Sequence, residues 1–173
     1  IPLNATGLKQ AKTAAHGMDK LPIDRILTSP LRRARQTAQA VAVGRGIPVL
    51  VEEDIVEMAF GALEGQLLSD FPACECIFSD PEHYVPLEGG ESYAQLDVRC
   101  RKLLEEILPP LEGRFHDVVL VSHGAFIRGV VCRVLGLPLK DFWDAPPQPN
   151  CSCTVLELKN GVCTLVEEGR VYG

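Results

Sequence analysis

The chain has 173 residues, 46% hydrophobic and 23% charged, with a formal net charge of −6. This composition fits one globular domain and excludes a nucleic-acid-binding surface, which needs a cationic stripe. No apolar run approaches the roughly 20 residues that cross a bilayer, and no secretory leader is visible at residue 1, so neither nucleic acid nor membrane is an expected partner.

In chain order, residues 6–18 read as a helix, with Thr6 as cap and Leu8, Ala11, Ala14 and Ala15 on one face. "IDRILTS" (23–29) reads as a strand. "PLRRARQTAQAVAV" (30–43) reads as a helix with Ser29 as N-cap and Pro30 in its first turn, stopped by Gly44 and Gly46. "IPVLVEE" (47–53) reads as a strand. Residues 54–90 are irregular, rich in Gly, Pro and Asp, with a short helix expected near 66–71. Leu96, Cys100, Leu103, Leu104 and Ile107 recur at helical spacing, which predicts a helix over 92–108. "DVVLVS" (117–122) is a continuous apolar run, the signature of a strand buried on both faces. Residues 125–135 read as a helix ending at Gly136, and 153–168 as a hairpin turning at Lys159-Asn160-Gly161.

Alternating helices and strands around a buried strand predict an α/β fold, a three-layer α/β/α sandwich. The sheet is expected to be mixed and mostly parallel, the terminal hairpin adding its antiparallel part. In such folds, ligands bind beyond the carboxyl ends of the strands. Two strand-to-helix junctions lie there.

The first is "LTSPLRRARQTA". Arg32, Arg33 and Arg35 crowd a helix start, where cations oppose the helix macrodipole. One arginine aimed at a bound anion resolves that conflict; three solvated arginines on a surface helix are the plain alternative. The second is "VSHGAFIRG". His123 closes the strand, Gly124 lets a ligand approach the backbone, and the amides of Gly124, Ala125 and Phe126 open the next helix. A hydrogen-bonded structural histidine is the alternative. Glu57 in "EMAFGALEG" is a candidate acid or base, as is Glu64 beside it, and either could be a surface carboxylate. Glu91 and Ser92 most simply begin the 92–108 helix.

Seven cysteines, an odd number, are spread over apolar segments and two C-x-C pairs, Cys74/Cys76 and Cys151/Cys153. The spacing is not the C-x2-C of zinc sites, so reduced core thiols in a cytoplasmic protein are expected, with no metal and no cofactor.

Taken together, "PLNATGLKQA", "ILTSPLRRARQTA", "EMAFGALEG", "LEGGESY" and "VVLVSHGAFIR", in this order, resemble the histidine phosphatase superfamily, the phosphoglycerate-mutase-like family. The likeness is to its compact phosphatase branch, which includes α-ribazole phosphatase-like proteins, and it spans essentially the whole chain. It implies a metal-independent phosphomonoesterase acting on a small phosphorylated substrate through a phosphohistidine. By position it implies phosphate binding by Arg33, His123, Gly124 and Ala125, and a proton donor in Glu57; Arg32 and Arg35 then revert to a solvated face. A non-catalytic relative that binds a phosphorylated ligand and a mutase-type phosphoryl transferase are the alternatives.

One part of the family pattern is missing. Its nucleophile lies in an R-H-G motif closing the first strand, upstream of P-L-x-x-x-G-x-x-Q-A, and here that pattern starts at Pro2. His16, His83 and His116 match nothing in it. A single domain over 1–173, N-terminally incomplete, is therefore expected. Its first strand would be absent, two sheet edges would be left unpaired, and the 173 residues alone would lack activity. Selectivity is assigned to 58–90, where Phe60, Phe71, Phe78 and Tyr84 either line a cleft or pack a satellite core. The oligomeric state is open, a homodimer being one possibility.

Overall fold

The structure is a computed structural model that describes residues 1–66, 76–145 and 148–172. Cys74, Phe71 and most of the helix expected near 66–71 lie outside the described residues. The elements are α1 (Ala5–Gly17), β1 (Ile23–Thr28), α2 (Arg32–Ala42), β2 (Val49–Val51), α3 (Cys76–Ser79), α4 (Tyr93–Lys102), β3 (Asp117–Val121), α5 (Gly124–Leu135), β4 (Ser152–Lys159) and β5 (Val162–Val171).

β1 is the middle of a parallel sheet ordered β2-β1-β3. The period-2 alternation of its strands divides the interior into two cores. Leu27, Val118 and Leu120 face one core, with Leu96, Cys100 and Leu103 of the α4 segment and Phe126 and Val130 of α5. Ile26, Val119 and Val121 face the other, with Ala38 and Val41 of α2 and Met18 after α1. This alternation produces the three layers expected from the sequence.

Several boundaries differ from expectation. α1 is capped by Asn4, whose side-chain Oδ1 accepts from Gly7 N at 2.8 Å, rather than by Thr6, and Leu8 on its supposed inner face is 41% exposed. α2 starts at Arg32, two residues late: Ser29 Oγ accepts from Leu31 N and turns the chain ahead of the helix, and Leu31, with extended backbone (φ −67°, ψ 136°) and no side-chain cap bond, stands at the N-cap instead. β2 is only three residues long, because Glu52 accepts from Asp54 N and turns the chain into a 3-10 turn at Glu53–Ile55. Ser92 does cap α4, in a reciprocal capping box with Gln95, but the helix loosens into a π-turn at Leu103–Ile107 ahead of Pro109.

The largest difference is β3. It is half-buried along its whole length, not buried on both faces, because it forms the edge of the three-stranded sheet. The hairpin forms as expected, with positive φ at Asn160 (54°) and Gly161 (75°), the signature of a tight two-residue turn. Its side chains reach both cores: Leu156 and Leu158 enter one, Cys153 and Tyr172 the other. Yet β4 and β5 form a sheet of their own, so among the described residues one edge of β3 and the hairpin are unpaired with each other.

Candidate functional site

β1 and β3 end level with one another, Thr28 opposite Val121, and Ser29 N donates to Val121 O at 2.9 Å. The two strand-to-helix junctions therefore meet at the carboxyl edge of the sheet, where an open α/β fold places ligands. They touch directly: His123 Nε2 and Ser29 Oγ lie 2.7 Å apart. Ser29 is fully buried and its oxygen also accepts from Leu31 N. His123 stands at the N-cap of α5 but makes no side-chain cap bond there, which frees its ring for the Ser29 side of the cleft.

Burial, then the neighbouring charges of Arg33 and Arg99, push the His123 pKa down to about 4. The imidazole is therefore neutral at pH 7. The same shift links pH to stability. Below its unfolded pKa, near 6.5, the free histidine binds a proton that the folded one resists until about pH 4. The unfolded state thus binds more protons in that window, and stability falls as pH drops through it. Urea denaturation at pH 7 and pH 4.5 should show a loss of about 2 kcal/mol that His123→Gln lacks. Equal losses in both proteins would refute the assignment.

Glu57 follows β2 and arrives from the opposite side. Its Oε1 accepts from Met58 N at 3.0 Å and from Phe126 N at 3.2 Å, so it covers the open amino end of α5. Burial raises its pKa; the amides of Met58, Phe126 and Ala125 and the charge of Arg33 oppose the rise. The Ala125 amide, beside that of Phe126, also acts to lower the Glu57 pKa. Gly124, exposed at the tip, has open space where a Cβ would stand.

Arg33 is half-buried in the first turn of α2, and its charge is felt at both His123 and Glu57; Arg32 and Arg35 are exposed. The charge of Arg33 thus acts on both Glu57 and His123 near the carboxyl ends of β1 and β3. The other histidines do not join them. His16, His83 and His116 are highly exposed, each beside an aspartate: Asp19, Asp80 and Asp117. Glu64 accepts from Phe60 N at 3.3 Å and closes its own turn. Tyr84 belongs to the core, whereas Phe60 and Phe78 line an open pocket of about 200 Å3 with Leu63 and Ile77.

The sequence places Glu91 only at the start of the 92–108 helix and does not single out Arg99; in the structure the two form an ion pair. Arg99 Nε and Nη2 donate to the two oxygens of Glu91, both at 2.7 Å, and Nη1 donates to Asp54 O and Val56 O, both at 2.8 Å. The available signal was a cation on the inward stripe of α4, between Leu96 and Leu103.

The six described cysteines are free thiols, and among the described residues no helix is long and apolar enough to cross a membrane.

The family model described as histidine phosphatase superfamily (branch 1) matches residues 1–169. Phosphoserine phosphatase 1 of Hydrogenobacter thermophilus is 32% identical over 145 residues, 82% of this chain and 68% of that one. The adenosylcobalamin/alpha-ribazole phosphatase of Salmonella typhimurium is 28% identical over 174 residues, covering 95% and 82%. Among solved structures, YhfR of Bacillus stearothermophilus superposes with a TM-score of 0.89 at 27% identity, over 98% of this chain and 85% of that one.

Proposed function

The chain belongs to the histidine phosphatase superfamily, branch 1, and from that premise we propose that it hydrolyses a small phosphate monoester through a phosphohistidine whose histidine lies outside these 173 residues. The observation that supports the reading is that the charge of Arg33 acts on both Glu57 and His123, with His123 held against Ser29 beyond the carboxyl ends of β1 and β3.

The roles follow from chemistry. The substrate phosphoryl group sits between the Arg33 fork, His123 and the Gly124 amide, which meet its charge with no metal ion invoked. The approach of a dianion reverses the electrostatics that keep His123 neutral and favours the imidazolium, a second donor. A histidine nitrogen attacks phosphorus, forming the P–N bond as the P–O bond to the leaving group breaks. Protonated Glu57 gives its proton to the departing alkoxide. The resulting carboxylate then takes a proton from water as the water oxygen attacks phosphorus, the P–N bond breaks, and phosphate leaves. Burial of Glu57 raises its pKa in the direction an acid needs. None of His16, His83 and His116 is placed to be the nucleophile, which is why an outside histidine is invoked. Seven thiols in one chain suit a reducing compartment, so a cytoplasmic setting is part of the same reading.

The test is a phosphate-release assay on the full reading frame that contains this chain. The panel holds phosphoserine, phosphoglycerates, nucleoside monophosphates and p-nitrophenyl phosphate. Release of inorganic phosphate, with an acid-labile, base-stable phosphoenzyme on rapid quenching, is the expected result. Phosphate-dependent thermal stabilisation without turnover would replace the reading with a binding protein. Transfer between positions of a phosphoglycerate without release would replace it with a mutase.

A further inference from the structure

The Glu91–Arg99 pair is nearly buried, with side chains 13% and 18% exposed, and its bonds converge on one short loop. Arg99 grips Asp54 O and Val56 O, the second being the carbonyl directly before Glu57. Glu91 grips the other side: its Oε2 accepts from Ala59 N at 3.3 Å, and its own amide donates to Ala59 O at 2.7 Å. The Arg99 guanidinium also lies 5.1 Å from the Phe126 ring centroid, over the residue whose amide donates to Glu57. Glu57 is thus bracketed on both sides and at its hydrogen-bond donor by one ion pair. The loop behind it is zipped to the segment leading into α4: Ala62 N donates to Glu88 O, and Phe60 bridges Gly90. Gly61, at φ +56°, is required there, since a Cβ would collide with Glu88 O and Gly90 N.

Stability alone is a poor account of this pair, because an ion pair in a low-dielectric site costs desolvation that an apolar pair of similar volume avoids. What it provides is direction: Arg presents fixed donors, and four of them here hold two carbonyls and a carboxylate at set angles. We propose that Glu91 and Arg99 are positioning residues for Glu57, holding its carboxyl group where it can meet the leaving-group oxygen. The proposal rests on the function given above.

It makes a selective demand. A poorly placed acid harms substrates whose leaving group must be protonated and spares those whose leaving group departs as an anion. Glu91→Gln and Arg99→Lys, each in the full reading frame, should lower kcat/KM on an alkyl ester such as phosphoserine by about 10- to 100-fold. The kcat/KM for p-nitrophenyl phosphate, which reports phosphoenzyme formation and not the later hydrolysis common to both esters, should stay within about threefold, the size of an indirect effect on binding. Combined with Glu57→Gln, neither substitution should reduce alkyl-ester turnover further, since the group it positions is already gone. Equal losses on both esters, or no loss on either, would overturn the proposal, as would full additivity with Glu57→Gln. Thermal unfolding of each variant is read in parallel; if both fail to fold, the pair is structural and the proposal is wrong. A wild-type protein that hydrolyses neither ester refutes the function instead.

Discussion

His123→Ala in the full reading frame is expected to lower kcat/KM about a hundred- to a thousand-fold and to weaken protection by inorganic phosphate. Its ring, held neutral at pH 7 by burial and by the charges of Arg33 and Arg99, takes up a proton as phosphate binds. Removing it deletes a donor at the place where negative charge collects. It also leaves the fully buried Ser29 hydroxyl with only its Leu31 N donor, the loss of its 2.7 Å partner costing about 1–3 kcal/mol of stability. The two effects separate by comparing kcat/KM with urea stability. His123→Asn, which can keep a hydrogen bond to Ser29, should recover part of the stability and none of the turnover. Near-wild-type turnover in either variant would make His123 a structural residue and remove the centre of the site.

The strand-to-helix junctions were legible because they rest on local chemistry. A continuous apolar run followed by S-H-G marks a strand end and a helix start, and α5 begins at Gly124 and stops at a left-handed Gly136. The Asn160-Gly161 turn and the Ser92 cap were readable for the same reason. Which arginine serves the site was not local. Arg32, Arg33 and Arg35 are equivalent in composition; their difference is the helix face each occupies, and the family resemblance pointed to the half-buried one. The edge position of β3 was hidden too, since an apolar run states that a strand is covered but not which neighbours cover it. Least visible was the support of Glu57. Its donor Phe126 is 69 residues away, and the Arg99 contacts to Asp54 and Val56 span 45 and 43. Such contacts follow from the assembled fold, and the only trace they leave in sequence is a cation on an otherwise apolar helix stripe.

Glu57→Gln should slow turnover of alkyl phosphate esters by about a hundred- to ten-thousand-fold, the range for loss of a general acid. Phosphate affinity should be nearly unchanged. The amide keeps an oxygen that can accept from Met58 N and Phe126 N, so the amino end of α5 stays covered and the loop keeps its shape. What disappears is the proton. Burial holds the Glu57 pKa above the usual carboxylate range, so the acid form persists further towards neutral pH than in a free glutamate. As pH rises through that raised pKa the acid form is lost, so wild-type kcat/KM on an alkyl ester should fall on the alkaline side. The Gln variant has no such group to titrate, and that alkaline limb should vanish from its profile. In kcat/KM, which stops at phosphoenzyme formation, the loss on p-nitrophenyl phosphate should be far smaller, since its leaving group needs no proton. A limb that survives in Glu57→Gln would assign the proton to another residue. Lost phosphate binding would mean that the carboxylate holds the helix end in place and does not take part in the chemistry.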